Sequence, residues 1–550
     1  MSYKGFTSVQ LRSPKKSKFD LTHDKRLSTR MGRLTPIMCL EAIRGDKFFL
    51  NPEMLIRVAP MIAPIYEQLT AFVHMYFVPN RLLWEDWEEF ITGGRLGVGI
   101  DPVNAPVPPW IDIEYALLNT NVLLNRELGD YLGVPDLYEF GAESQYAGLR
   151  LDILPFAAYY LVWYEYYRDR NYIADNDLLP LPSGEFDLSI AGNDELMLIK
   201  TRDYLKDYFT SALPFTQRGE EVLMPLEGTG TVTYLSQSNV RPAAGGNFAS
   251  DVYLGALNGT DDLIASNDTN TPPTAGVAAR VENIDEVLLT ASSVSINDFR
   301  SAYALQVWLE RNAVGGSRYT ESIQAHFAVK PQDSRLQRPE FLGGGRMPIR
   351  INEVVNTAWS QDGTGYVPAG NLSGHGVAYS NVNGFRYFCS EHGFIISILS
   401  IMNPPTYQQG IPKMFYDRRS FLSYPWPTFA KLGEQQVDKA ELYASGPNLT
   451  PDSGGVLPLF GYQSRYADWK YIPNMNHSDF RTDLAFWTMT RVFASSPVLG
   501  EDFVKFDQAA SDQVFAVQTN EDNWWLYIHN KLSVDRALPY FGAPNTLNFG

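Results

Sequence analysis

Cysteine is nearly absent: Cys39 and Cys389 are the only two in the chain. No disulfide framework can therefore hold the fold, and a reducing compartment suffices for its synthesis. Long apolar runs are missing too, since no uninterrupted stretch reaches the roughly 20 residues that a membrane-spanning helix needs. The opening residues carry charge but not the apolar segment of a secretion signal, so a soluble protein with no membrane partner is expected. Catalytic signatures are equally scarce. There is no His-Glu-x-x-His, no phosphate loop ending in Gly-Lys-Ser/Thr, no Gly-x-Ser-x-Gly elbow and no Cys-x-x-Cys pair.

The glycine runs Gly93-Gly94, Gly97-Val98-Gly99 and Gly343-Gly344-Gly345 do not follow a strand and open a helix at dinucleotide spacing, and read as turns or points of close subunit approach. The most enzyme-like group is Cys389, Glu391 and His392. Neighbouring strand residues point to opposite faces, so Glu391 and His392 cannot easily orient one another, although Cys389 and Glu391 could share a face. Asp261-Asp262 could hold a calcium ion, but the EF-hand pattern is missing and a solvated loop is the default. His74 reads as a core or interface histidine, because no second ligand sits at metal spacing. No enzyme, cofactor or metal is expected.

What the chain has in plenty is aromatic side chains: 31 Tyr, 31 Phe and 11 Trp within a 45% hydrophobic composition. They suit β-rich cores and extensive subunit contacts alike. The net charge of −17 at first argues against a polyanionic partner, yet its distribution is uneven. Residues 1–33 hold Lys4, Arg12, Lys15, Lys16, Lys18, Lys25, Arg26, Arg30 and Arg33 against Asp20 and Asp24, a net of +7 that leaves −24 on the rest. A basic arm on an acidic body suggests one end facing nucleic acid. A solvated disordered tail is the competing reading.

The strongest apolar run is Phe394 to Met402, interrupted only by Ser397 and Ser400, too short for a bilayer and rich in Ile. It reads as a strand covered on both faces, ended by Pro404 and Pro405, with a long aromatic and polar excursion after it. Leu34 to Leu50 predicts two strands around a Gly45-Asp46 turn, and Ile65 to Pro79 a long strand buried on both sides. Further strands are expected at Ile349 to Trp359, Phe385 to Met402, Phe460 to Tyr471 and Trp524 to Ala537.

Residues 82–210 look mostly helical or irregular. The clearest helix is Asp152 to Tyr172, where Phe156, Tyr159, Tyr160, Trp163, Tyr166 and Tyr167 form a stripe. Such a stripe could stack bases, but core or subunit packing fits better with only Arg168 and Arg170 beside it. Ile296 to Ala313 predicts an amphipathic helix. Between them, 227–290 turns to Gly, Asn, Thr, Ser and Asp, with enough Val, Leu, Tyr and Ile for some short strands. No linker and no internal repeat divides the remainder. The pattern predicts a mainly β protein, an eight-stranded antiparallel jelly roll with long helical and irregular insertions. It divides into an arm at 1–33 and a single domain at 34–550.

Ordered blocks along the chain carry a resemblance. Glu391-His392-Gly393, Pro405-Thr406-Tyr407-Gln408-Gln409-Gly410, Tyr424-Pro425-Trp426-Pro427-Thr428, Phe77-Val78-Pro79-Asn80-Arg81-Leu82-Leu83-Trp84, Thr210-Ser211-Ala212-Leu213-Pro214 and Pro339-Glu340-Phe341-Leu342-Gly343 stand in it as they do in one family. The chain resembles the major capsid proteins of microviruses, small tailless single-stranded DNA phages, most closely the gokushovirus-like branch.

The resemblance implies a jelly-roll subunit that forms pentamers and a T=1 icosahedral shell in the virion, assembled in the bacterial cytoplasm. Single-stranded DNA, a small basic DNA-binding virion protein and a host-cell receptor are the partners it implies. It also makes 227–290 an outer protrusion. The acidic character of that segment, with Glu227, Asp251, Asp261, Asp262 and Asp268 beside Tyr253, suits an outer surface better than one facing DNA. A jelly-roll carbohydrate-binding protein or glycoside hydrolase is the alternative; it would need exposed aromatics with paired carboxylates.

Overall fold

In a computed structural model of the chain, the residues described are 15–93, 105–113, 116, 123–136, 149–219, 239–242, 253–257, 263–266, 279–282, 296–315, 324–326, 337–355, 360–362, 365–367, 372–431, 433–453, 455–516 and 522–540. They fall into two compact units, Gln217–Gly316 and the rest of the chain. The larger unit is built on one antiparallel sheet of ten strands. These are β1 (Ser17–Asp20), β2 (His23–Thr29), β3 (Thr35–Ala42), β4 (Lys47–Val58), β5 (Leu69–Pro79), β6 (Glu340–Val355), β7 (Leu372–Asn381), β8 (Phe385–Phe388), β9 (Gly393–Met402) and β10 (Trp524–Arg536). The order is β1-β10-β4-β7-β6-β5-β9-β3, with β2 beside β10 and β8 beside β4. Eight of these strands come from the body of the chain. The other two come from the segment expected to be an arm.

The sheet curls because β6 serves two halves. Its first part pairs with β5, from Glu340↔Phe77 to Ile349↔Leu69, and its second with β7, from Arg350↔Val377 to Val355↔Leu372. Inward side chains of the two halves then share one core: Met54, Ile56, Leu526 and Ile528 from one, Val73, Met75, Phe77, Ile395 and Leu399 from the other. The glycine run 343–345 lies within β6 at a register shift and is not a turn. At Gly344 the strands approach so closely that a Cβ would stand 2.4 Å from the Val73 carbonyl oxygen, which excludes any side chain. Pro52 sits inside β4 without breaking it, because β8 pairs with 47–50 and β7 with 53–57, leaving Pro52 at the junction.

Strand β9 is buried along its whole length, and period-two alternation explains why. Ile395, Leu399 and Ile401 face the sheet core, whereas Phe394, Ile396 and Ile398 face a second core under helix α1 (Leu154–Tyr166). Helix α1 is apolar all round, with Phe156, Ala157, Tyr159, Tyr160, Val162 and Trp163 buried. Its aromatic stripe is therefore core packing, and Tyr159 donates its hydroxyl to the Leu34 carbonyl at 2.8 Å. His74 on β5 joins this layer through Nδ1, 2.7 Å from the Tyr167 hydroxyl. Burial and the charge of Arg202 hold the imidazole down at about 4.

A third cluster, including Tyr208, Phe209, Tyr407, Val437, Phe460 and Phe503, supports the segments that follow β9. The strand expected at Phe460 to Tyr471 covers only Leu459–Ser464. Tyr466 takes a left-handed conformation, φ 63°, and a short helix, Ala467–Lys470, follows. The strand expected over Phe385 to Met402 is likewise divided, β8 and β9 pairing with different partners. In the smaller unit, helix α2 spans Ile296–Gly315, and two antiparallel ladders join Asn239–Pro242 to Ala279–Glu282 and Tyr253–Leu257 to Leu263–Ser266. Among the described residues no helix is long and apolar enough to cross a membrane.

Candidate assembly and nucleic-acid surfaces

The excursion after β9 combines a fixed base with an exposed apolar tip. Lys413 is buried, donates to the Gln436 carbonyl and lies 3.4 Å from Glu441 Oε1. Glu441 Oε1 accepts the Asp438 backbone N–H at 2.9 Å and Glu441 Oε2 the Tyr208 hydroxyl at 3.0 Å. Desolvation pushes the Glu441 carboxyl up to about 7, against the pull of Lys413. Tyr416 donates to Asp438 at 2.8 Å, and Arg418 pairs with Asp468 while stacking over Trp469. The approach is again too close for a side chain at Gly410, where a Cβ would meet the Glu441 carbonyl oxygen at 1.7 Å.

On this base stand Met414, Phe415, Phe421, Leu422, Tyr424 and Trp426. Phe415 and Phe421 are 69% and 65% exposed, and Ile472 at the end of the neighbouring turn is 92% exposed. Scattered exposed apolar residues are ordinary, but a run of this size on a rigid support marks a surface that another molecule covers. The aromatic composition of the excursion was legible in the sequence. The exposure of Trp469 and Ile472 was not, because a continuing strand would have buried alternate residues there.

The basic residues near the N-terminus divide sharply. Lys4 and Arg12 lie outside the described residues. Lys25 points inward from β2, bonded to the carbonyls of Pro36 and Tyr131, and desolvation lowers its ammonium to about 8. Arg30 is paired with Asp512, and Arg33 stands 3.8 Å from Asp522. These three cations are occupied within the fold. Lys15, Lys16, Lys18 and Arg26 remain exposed, Lys16 against the Gly45 carbonyl and Arg26 over the Tyr527 ring at 5.4 Å. For Lys25 the physical reason is register, since β2 pairs with β10 along 23–29 and alternate residues face the core, whereas Arg30 and Arg33 lie beyond the strand and are held by Asp512 and Asp522.

The enzyme-like group is dispersed. Cys389 is buried and its thiol is pushed up to about 12 by desolvation, which disfavours the thiolate. Glu391 accepts from Arg81 at 2.7 Å, and the His392 ring packs 5.8 Å from Trp87. Among the described residues, no three His, Cys, Asp or Glu side chains are grouped as a metal would need. Of the residues expected on the protrusion, Tyr253 opens the strand Tyr253–Leu257, opposite Ser266. Glu227, Asp251, Asp261, Asp262 and Asp268 lie outside the described residues.

The chain matches the family described as "Capsid protein (F protein)" over residues 7–546. It is 31% identical to "Capsid protein VP1" of Chlamydia phage 1, covering 98% of this chain and 97% of that relative. Proteins of the same description from Bdellovibrio phage phiMH2K and Spiroplasma virus 4 are 29% and 26% identical. Those alignments cover 95% of each chain for the first, and 96% of this chain and 95% of the relative for the second.

Proposed function

Since the chain belongs to the phage capsid protein (F protein) family, in its gokushovirus-like branch, we propose that copies of it close into a small icosahedral shell around a single-stranded DNA genome. A structural capsid role follows from the family itself. The observation that carries it is the anchored apolar tip at 414–426 with Ile472. Burying such surface between copies gains about 25 cal/mol per Å², and aromatic anchors dominate contacts of this kind. Repeated heterologous contacts generate rings, and pentameric rings related by further symmetry close a container.

Within the shell, the exposed cations Lys15, Lys16 and Lys18, with Lys4 and Arg12, would neutralise phosphate without reading sequence. A small basic virion protein would supply further positive charge. The insertion 227–290 would project outward and bind the host-cell surface, assembly taking place in the bacterial cytoplasm. Electron microscopy and sedimentation of the purified chain test the core of this reading. Uniform closed particles are expected, and a stable monomer at high concentration without denaturant would overturn it. Replacing 227–290 with a short Gly/Ser linker tests the outward role: particles that form but no longer adsorb to cells are the expected result, and normal adsorption removes it.

A further inference from the structure

The outward face of the sheet carries a second set of exposed aromatics in a different setting. Two adjoining cross-strand rows run over β2, β10, β4 and β7. In one, Arg26 lies opposite Tyr527, Tyr527 opposite Leu55, and Leu55 opposite Tyr379. In the other, Ser28 lies opposite Trp525, Trp525 opposite Arg57, Arg57 opposite Val377, and Val377 opposite Arg350 of β6. Three arginines and three aromatic rings thus share one face, with no carboxylate in either row. Trp525 is 49% and Tyr379 67% exposed. None of the three arginines is ion-paired among the described residues. In the next row Asp24 bonds His529 at 2.6 Å and the Tyr527 hydroxyl and lies near Arg26, and Glu53 pairs with Lys531.

We propose that this sheet face is a stacking platform for single-stranded nucleic acid, with bases on Trp525, Tyr527 and Tyr379 and phosphates on Arg26, Arg57 and Arg350. The inference rests on the reading of the chain as a genome-enclosing capsid subunit, and gives that genome a second contact beside the N-terminal lysines. Spacing supports it. Trp525 and Tyr527 are two apart on one strand, which sets their rings about 7 Å apart, room for one unstacked base on each. Neighbouring strands then put a guanidinium about 5 Å to the side. Every base has a π-face, so such a surface holds single strands with little sequence preference, and arginine adds both charge and cation–π attraction. An apolar contact with a second copy of this chain would leave three guanidinium groups desolvated and unmatched.

The test uses the full-length chain and a fluorescein-labelled 20-nucleotide oligodeoxythymidine, with anisotropy read at several salt concentrations. Three variants are compared: Trp525→Ala/Tyr527→Ala/Tyr379→Ala, the same positions changed to Phe, and Arg26→Gln/Arg57→Gln/Arg350→Gln. The Ala variant should bind tenfold or more weakly with its salt slope unchanged, and the Phe variant should recover most of the affinity. The Gln variant should lose about two units of the slope of log K against log salt, from about 0.7 per phosphate contact on single strands. Affinities within twofold of the parent for both the Ala and Gln variants would overturn the proposal. So would an Ala variant that binds the oligonucleotide normally but fails to form particles, which would make the face a subunit contact. Particle formation followed by sedimentation on the same samples separates this outcome from failure of the capsid reading.

Discussion

The excursion at 413–426 and the outward sheet face both expose large aromatic rings, yet their surroundings differ in the one respect that decides a partner. At the excursion two of the three cations are consumed internally, Lys413 against Glu441 and Arg418 against Asp468, Arg419 alone stays exposed, and the large exposed side chains are Met414, Phe415, Phe421, Leu422, Tyr424 and Trp426. On the sheet face Arg26, Arg57 and Arg350 stand beside Trp525, Tyr527 and Tyr379, none of the three in an ion pair among the described residues. Neutral apolar surface is suited to another protein, and positively charged aromatic surface to a polyanion with stackable rings. Exposed aromatics alone would not have told the two apart.

The largest expected effect comes from breaking the anchor of the first region. Glu441→Ala leaves the buried Lys413 ammonium without its counter-charge, and should destabilise the dispersed subunit by about 3–5 kcal/mol in denaturant unfolding. Glu441→Gln, which keeps an acceptor for Asp438 N–H, should lose less. Parent-like stability in the Ala variant would mean that the base of the excursion is not held as described.

Next in size, Phe421→Glu combined with Trp426→Glu puts charge on the tip without touching the anchor. Particle yield in sedimentation should fall tenfold or more, with subunit stability within about 0.5 kcal/mol of the parent, as for exposed sites generally. Undiminished assembly would assign the excursion some other partner.

A smaller effect is expected from pH. Desolvation raises the carboxyls of Glu67 and Asp203 to about 7. The folded chain therefore binds protons that the unfolded chain does not, and gains stability as pH falls through 7. Lys25, lowered to about 8, opposes part of this near pH 8, and His74, held at about 4, does so only below its unfolded value near 6.5. Between pH 8 and pH 6.5 the melting temperature of the subunit should rise by about 1–3 °C. A fall over that window would contradict the burial of these carboxyls. Smallest of all, Trp525→Ala should change stability by less than about 0.5 kcal/mol while lowering the DNA recovered per particle. A large loss of stability would show that the ring packs into the fold rather than standing on it.

Much of the scaffold was legible in the sequence because its strands are apolar on both faces. Phe394 to Met402, ended by Pro404 and Pro405, could be little else. Leu34 to Leu50 declared its own turn at Gly45-Asp46, and Ile65 to Pro79 its two-sided burial. The strands at 17–29 were not legible. Lysine, aspartate and histidine alternate there with Phe19 and Leu27, which reads as a charged tail until β10 supplies the partner that makes the alternation meaningful. The glycine run 343–345 reads in the sequence as turns or points of close subunit approach, because a sequence shows permissive residues without showing what approaches them.

The sequence alone determined the family blocks, the aromatic richness and the parity of each strand: in Trp524 to Arg536, Trp525 and Tyr527 are marked for the face opposite Leu526 and Ile528 by period two. Only the tertiary structure decided which strands lie side by side. Arg26, Arg57, Arg350, Tyr379 and Tyr527 are spread over some five hundred residues, and no local pattern relates them. Their meeting on one face is fixed by the register of five strands around a shared core. That register is set by long-range burial, which rewards one pairing over its neighbours only when all the strands are present together.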